Sequence, residues 1–146
     1  MKELIFSTNN DWTGFVTRLT IGIVLFPHGS QKMLGWFGGG GFENTMAYFT
    51  SNQHLPAAIA FLVICIEFFG ALCLMVGFAG RLFAIAVIFL FLGIIFTVHG
   101  PNGFFMNWSG TNKGEGYEYH LLMIGLAIAT LINGSGKFSI DGLICK

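Results

Sequence analysis

Four windows of about twenty mostly apolar residues run through this chain of 146, at 12–34, 56–78, 81–98 and 117–132. That pattern most constrains the fold, because an apolar stretch of that length matches the hydrocarbon thickness of a bilayer when helical. The last window is shorter and fits a span lying closer to the bilayer normal or starting within the interface. Only 10% of the residues are charged, whereas 54% are hydrophobic and 17 are Phe. A chain so poor in polar side chains cannot cover a water-facing surface, so its excess apolar area belongs against lipid. The reading is an all-α, membrane-spanning four-helix bundle forming a single domain over residues 1–146.

Seven basic residues balance seven acidic ones. A formal charge of zero offers no basic stripe for nucleic acid. The N-terminus has one Lys, a polar stretch from Ser7 to Asp11, and then an apolar run too long for a signal peptide.

The connections differ in kind. A tight turn over 77–80 makes spans two and three an antiparallel hairpin, whereas the loops 35–55 and 100–116 are long and rich in Gly, Asn and aromatics. Lys2, Arg81, Lys137 and Lys146 fall on one side, with Arg18 a turn or two inside it, and only Lys32 and Lys113 on the other. The positive-inside rule then puts both termini in the cytoplasm and both long loops outside. Trp36, Phe37, Phe104, Phe105, Trp108, Tyr117 and Tyr119 fall at the outer boundary and Trp12 at the inner one. They read as an interfacial aromatic belt, or as a lid folded over the bundle. The glycine run from Gly38 to Gly41 allows a tight re-entrant path, or is simply slack.

Two ionisable residues lie deep in the apolar spans, where each costs at least about 2.5–3.5 kcal/mol and needs a partner. Arg18 sits in the first and Glu67 near the middle of the second. Their Cα depths differ by about 8 Å at the helical rise, which a snorkelling Arg covers, so an Arg18–Glu67 pair is expected. Arg18, Ile21, Gly22, Leu25, Gly29 and Lys32 share one stripe, which Gly14 extends inward. Its glycines admit either a neighbouring helix or a flat ligand. Pro27 frees the carbonyl of Ile23. Glu67, Gly70, Ala71 and Leu74 repeat the pattern on span two.

His28, His99, Glu118 and His120 join Lys32 near the outer boundary, each close to a helix end. Glu118 and His120 are two residues apart, about 200° around a helix. Glu118 is expected to face inward, with Gly125 and Ala129 on its stripe, and His120 to stand by. His28, His99, Glu67 and Glu118 are therefore the candidate catalytic groups. Arg18, Lys32, Gly22, Gly29, Gly70, Trp36 and Phe104 are the candidate ligand-binding ones. No His-x-x-x-His spacing or Cys-x-x-Cys-His motif supports a metal or haem site. Cys65, Cys73 and Cys145 contain no Cys-x-x-Cys pair, and the first two read as apolar fillers.

These residues resemble the DoxX family of small four-helix membrane proteins over nearly the whole chain. The likeness rests on His28-Gly29-Ser30-Gln31-Lys32 followed by Gly35-Trp36-Phe37-Gly38-Gly39, and on Glu67-Phe68-Phe69-Gly70 leading through Gly77 to Arg81. It rests also on His99 with Gly103-Phe104-Phe105, and on Glu118-Tyr119. The resemblance implies a fold akin to quinone-linked disulfide-forming enzymes and kinship with a subunit of a quinol oxidase or thiosulfate:quinone oxidoreductase. It also implies residence in a bacterial inner (plasma) membrane. The chain departs from thiol chemistry, since it has no paired cysteines on the outer side, so a quinone, a partner redox subunit or a cofactor has to carry electrons. Two functions follow as expectations: a quinone-linked redox module, with the outer polar residues relaying protons, or a non-enzymatic subunit or scaffold docking a partner protein. A small-solute carrier is a third, which with four helices calls for a homo-oligomer.

Overall fold

The computed structural model describes residues 2–145, and they are all helix and loop. After a short α1 (Lys2–Phe6), the side chain of Asp11 accepts from the Gly14 N–H at 2.8 Å and starts α2 (Trp12–Leu34). Pro27 is accommodated within α2, which ends on Gly35 at φ 75°, where the Gly35 N–H donates to the Ser30 carbonyl. The chain then folds back through α3 (Gly41–Ala47), which packs on α2, before α4 (Ala57–Val76). Gly77 in the left-handed region closes α4, and α5 (Gly80–Asn102) returns beside it. A loop leads to α6 (Glu118–Asn133) and a short α7 (Ile140–Ile144).

Helices α2, α4, α5 and α6 contribute to one core. Ile21 and Leu25 meet Ala71 and Leu74, then Ala84, Val87, Leu90 and Phe91, then Met123 and Ala127. The stripes expected on α2 and α4 are the buried ones: Arg18, Ile21, Gly22, Leu25 and Gly29 on the first, Glu67, Gly70, Ala71 and Leu74 on the second. Outward faces stay apolar, with Phe61, Phe89, Phe96, Leu122 and Ile132 at least half exposed. Among the described residues α4 and α5 are the two helices long and apolar enough to cross a membrane. Only 33% and 22% of their apolar windows are buried, unlike the core helix of a water-soluble protein. α6 is apolar but shorter, and α2 has the length but carries Arg18 and Lys32.

Both chain ends meet the 77–80 turn at one end of the molecule, around Arg18. The Asn9 N–H donates to the Asn133 carbonyl, the Lys137 N–H to Asp11, and the Asp141 N–H to Gly77. Arg18 is fully buried, and each of its five N–H donors meets a carbonyl. Nε donates to Ser135 at 2.6 Å, one terminal nitrogen to Leu74 and Met75 at 2.8 and 2.6 Å, and the other to Lys137 and Phe138 at 3.0 and 2.8 Å. This corrects the expected Arg18–Glu67 pair. The last carbonyls of α4 carry the negative end of its dipole, so they offset the guanidinium without a carboxylate. Asp141, 1% exposed, accepts from the Ala79 and Gly80 N–H groups at 2.7 and 2.9 Å, and from Ser135 Oγ at 2.5 Å. It caps α5 from a distant part of the chain, where Ala79 supplies no cap of its own.

Candidate functional site

With Arg18 spent on carbonyls, the cation that reaches Glu67 is Lys32. Its Nζ stands 2.5 Å from Glu67 Oε2, and Glu67 is only 3% exposed. Gly29, one turn before Lys32, brings α2 against the backbone of Glu67 and Phe68. A methyl added at Gly29 would lie 2.6 Å from Phe68 Cα. Close approach of the two helices is thus what lets a lysine, rather than a longer arginine, neutralise Glu67. Glu67 itself lies in a π-helical turn, Ile66–Gly70. Such turns recur at functional sites because the widened backbone re-aims side chains. His99 closes a second one, Ile95–His99.

The rest of the polar set divides sharply. His28 is exposed and makes no hydrogen bond, so the structure does not bring it to the site. Arg18 is equally removed, at the opposite end. The open sides of Gly22 and Gly29 are filled by α4, and that of Gly70 by the ring of Phe83, which corrects the flat-ligand option for this stripe. Glu118 turns to the loop before it: Oε1 accepts from the Met106 N–H at 3.0 Å and from Trp108 Nε1 at 3.3 Å. Glu115 Oε2 likewise accepts from the Asn107 N–H at 2.7 Å. The inward stripe of α6 is His120, Met123, Ala127 and Thr130, while Gly125 is exposed, which reverses the expected orientation.

His120, 6% exposed, therefore belongs to the interior, its ring 4.3 Å from that of His99 and 5.5 Å from that of Tyr119. Tyr119 packs on the core. The sequence signal for this orientation was the spacing of His120 with Met123, Ala127 and Thr130, together with Thr17 on α2. Thr130 Oγ1 donates to Thr17 Oγ1 at 2.9 Å and fixes how α6 faces α2.

Two buried side-chain atoms have no hydrogen-bond partner among the described residues, Ser30 Oγ and His120 Nδ1. Burial without a partner costs about 1–3 kcal/mol, so these positions call for a role. Above Lys32 the 35–55 segment folds down on the helices, as the lid reading expected. The side of Gly39 meets the Gln31 backbone. Between this lid and α2 is a cleft of about 290 Å³ lined by Lys32, Gly40, Asn44, Thr45, Tyr48 and Phe49. A second shallow cleft of about 380 Å³ lies in the other loop, beside Phe104 and Lys113. Trp36 and Phe104 stay exposed at this end, as members of a belt would. Cys65 and Cys73 are half-buried free thiols, and Cys145 is exposed.

An apolar all-helical protein with a buried carboxylate paired to a partly exposed lysine under a folded-back loop segment is the class these features define. Residues 14–100 match the family model named DoxX, and the chain belongs to the DoxX family. A relative from Bacillus subtilis (strain 168), named "Putative oxidoreductase CatD", is 27% identical over 129 residues. That alignment covers 88% of this chain and 84% of the relative. No solved structure matches the chain.

Proposed function

We propose that this protein is a redox-linked module of a bacterial inner membrane that receives a quinone head group beside Lys32 and Glu67. The observation that carries the reading is the Lys32–Glu67 pair itself. A carboxylate buried in an apolar helix and held 2.5 Å from a partly exposed cation is costly to keep, and intramembrane ionisable groups mark functional sites by default. The name of the Bacillus relative agrees with redox work.

The reading takes α2, α4, α5 and α6 as four spans. Arg81 and Lys137 gather with both termini at one end, and Lys32 and Lys113 stand at the other. Topology with the termini in the cytoplasm and both long loops outside follows from that asymmetry.

The residues fit a quinone head group. The cleft over Lys32 approaches the size of small-ligand sites, and its lining combines the rings of Tyr48 and Phe49 with few polar groups. When bound, a quinone supplies a two-electron, two-proton couple. Lys32 Nζ would donate a hydrogen bond to one ring carbonyl and stabilise negative charge developing there. Glu67, released from Lys32, would hold or give a proton. Tyr48 and Phe49 would flank the ring, and the Gly35–Gly41 fold would keep water from it.

The competing reading, a non-enzymatic subunit or scaffold, is favoured by one observation: Lys32 and Glu67 already satisfy each other. Binding of a water-soluble short-chain quinone to protein in lipid nanodiscs separates the two. Micromolar binding that weakens at least about tenfold in Lys32→Gln and Glu67→Gln, and persists in His28→Ala, supports the redox site. A folded wild-type protein that binds no quinone, yet purifies with a stoichiometric protein companion, overturns it.

A further inference from the structure

The terminal end of the molecule carries an aromatic cluster that the hydrogen-bonded base around Arg18 leaves uncovered. Trp12, Phe15 and Phe138 pack edge to face in a triangle, with ring centroids 5.7, 6.0 and 5.7 Å apart. Trp12 is 56% exposed and Phe138 76%. Trp12 heads the outward face of α2, which runs on through Val16 and Ile23, both more than half exposed. The triangle therefore continues the side of α2 that the membrane reading turns to lipid. Lys137 Nζ stands over the indole of Trp12, 4.6 Å from the ring centroid.

The backbone beneath this cluster is strained. Phe138 has φ 52°, in the left-handed region that a bulky side chain rarely adopts. Arg18 holds it there, since one terminal nitrogen donates to the carbonyls of both Lys137 and Phe138. At 76% exposed, the ring recovers little of that cost in water, whereas against the interfacial region of a bilayer it is buried. Ile140 and Leu143 follow as exposed apolar residues of α7, whose polar Asp141 is buried, so the segment is amphipathic as an interfacial helix requires.

We propose that Lys137, Trp12 and Phe138 form a seat for an acidic phospholipid of the leaflet at the terminal end. The lipid phosphate sits on the Lys137 ammonium and the upper acyl chain against the rings. Charge selects the head group. No acidic oxygen lies within 4 Å of Lys137 Nζ among the described residues. The carboxylates of the adjoining segments are engaged, Asp11 by the Gly14 N–H and Asp141 by the N–H groups of Ala79 and Gly80 and the hydroxyl of Ser135. A head group that brings a phosphate and no cation supplies the missing counter-ion. Choline is disfavoured, because its quaternary ammonium is drawn to the same indole face that Lys137 already covers. This end also holds Arg81, and the positive-inside rule turns it to the cytoplasm, where the leaflet carries the acidic lipids.

The experiment reads the lipid beside Trp12. Trp36→Phe and Trp108→Phe leave Trp12 as the only tryptophan. The protein is placed in nanodiscs of phosphatidylglycerol and phosphatidylcholine in equal parts, with bromine high on the acyl chains of one lipid or the other as a short-range quencher. Bromine on phosphatidylglycerol should quench Trp12 about fivefold more than the same bromine on phosphatidylcholine, the preference expected of one ammonium for an anionic lipid. Lys137→Gln should bring the two lipids level while quenching persists, because the rings still face the chains. Phe138→Gly keeps the backbone conformation without its strain. It should unfold in phosphatidylcholine at no lower temperature than wild type, yet lose the rise in midpoint that phosphatidylglycerol gives the wild type. Equal quenching by the two lipids in the wild type, quenching by neither, or a preference that survives Lys137→Gln would overturn the proposal. So would a preference abolished by inorganic phosphate but not by sodium chloride of the same ionic strength, which would make the seat one for a free anion. Quinone binding at Lys32 enters none of these readouts, so this proposal and that reading fail separately.

Discussion

Replacing Arg18 by methionine removes the hub of the terminal end while keeping an apolar side chain of comparable reach. Five carbonyls lose their donor, those of Leu74, Met75, Ser135, Lys137 and Phe138. The Leu74 carbonyl retains a bond from the Gly77 N–H at 3.2 Å, so the other four carry the cost. At about 1 kcal/mol for each buried acceptor left without a partner, the loss is about 4 kcal/mol, the same range as breaking a buried ion pair. Arg18→Lys keeps the charge but has three donors for five acceptors, and should lose about half as much. Thermal unfolding in a mild detergent, read by near-UV circular dichroism, should place the midpoints in the order wild type, Arg18→Lys, Arg18→Met. The full drop should be about 10 °C. A double-mutant cycle tests the reasoning more strictly. Arg18 shares no partner with Glu67, so Arg18→Met and Glu67→Gln should add within about 0.5 kcal/mol. Coupling above about 1 kcal/mol between them, or a cost of Arg18→Met below that figure, would refute the carbonyl-hub account.

Three further outcomes follow from single contacts. Lys32→Met leaves the Glu67 carboxylate buried without its cation and should cost about 3–5 kcal/mol, most of it recovered in Lys32→Met/Glu67→Leu. A single variant as stable as wild type in chemical unfolding would count against a buried pair. Asp141→Asn keeps one acceptor oxygen and turns the amide NH2 against either the Ala79 N–H or the Gly80 N–H and Ser135 Oγ, and should lower stability by about 2 kcal/mol in the same assay. Gly29→Ala drives a methyl into the backbone of α4 and should cost about 1–3 kcal/mol. Gly125→Ala meets open space and should be neutral or stabilising by up to about 1 kcal/mol. If both alanine variants behave alike, the helices are not held apart by a single glycine's width.

The helices were legible in the sequence because periodicity and length report burial directly. The expected windows lie within a few residues of α2, α4, α5 and α6, and the stripes through Ile21 and Ala71 are the buried ones. Glu67 was marked by its depth in an apolar span, and Lys32 by its place on the α2 stripe near the outer boundary. What stayed hidden was pairing. A carbonyl has no sequence signature, so nothing announced that Arg18 would be satisfied by backbone while a lysine took the carboxylate. The orientation of α6 was hidden for a related reason. Glu118 looked like an inward group because the small residues Gly125 and Ala129 lie on its stripe, but the Met106 N–H and Trp108 Nε1 of the preceding loop take its carboxylate. The tail after α6 is polar and short, yet Ser139 with Asp141 and Gly142 forms a small capped helix whose acid reaches Ala79 and Gly80. Its Ser-x-Asp-Gly pattern was a readable start signal.

The two ends of the molecule handle buried polarity in opposite ways, and this difference argues for where function resides. At the terminal end every donor of Arg18 is occupied, Asp141 accepts three hydrogen bonds, and the termini themselves are tied in. Such a network has no spare capacity, and any movement breaks several bonds at once, so it suits a fixed base. At the other end the polar groups are fewer and less committed. Lys32 and Glu67 hold only each other, Ser30 Oγ and His120 Nδ1 hold nothing among the described residues, and the cleft over Lys32 is open to one side. A site that exchanges protons and admits a ligand needs groups that can change partners without unfolding the protein. The saturated base permits that looseness by fixing α2, α4, α5 and the C-terminal segment about Arg18, so that Lys32 can leave Glu67 while α2 and α4 stay in register.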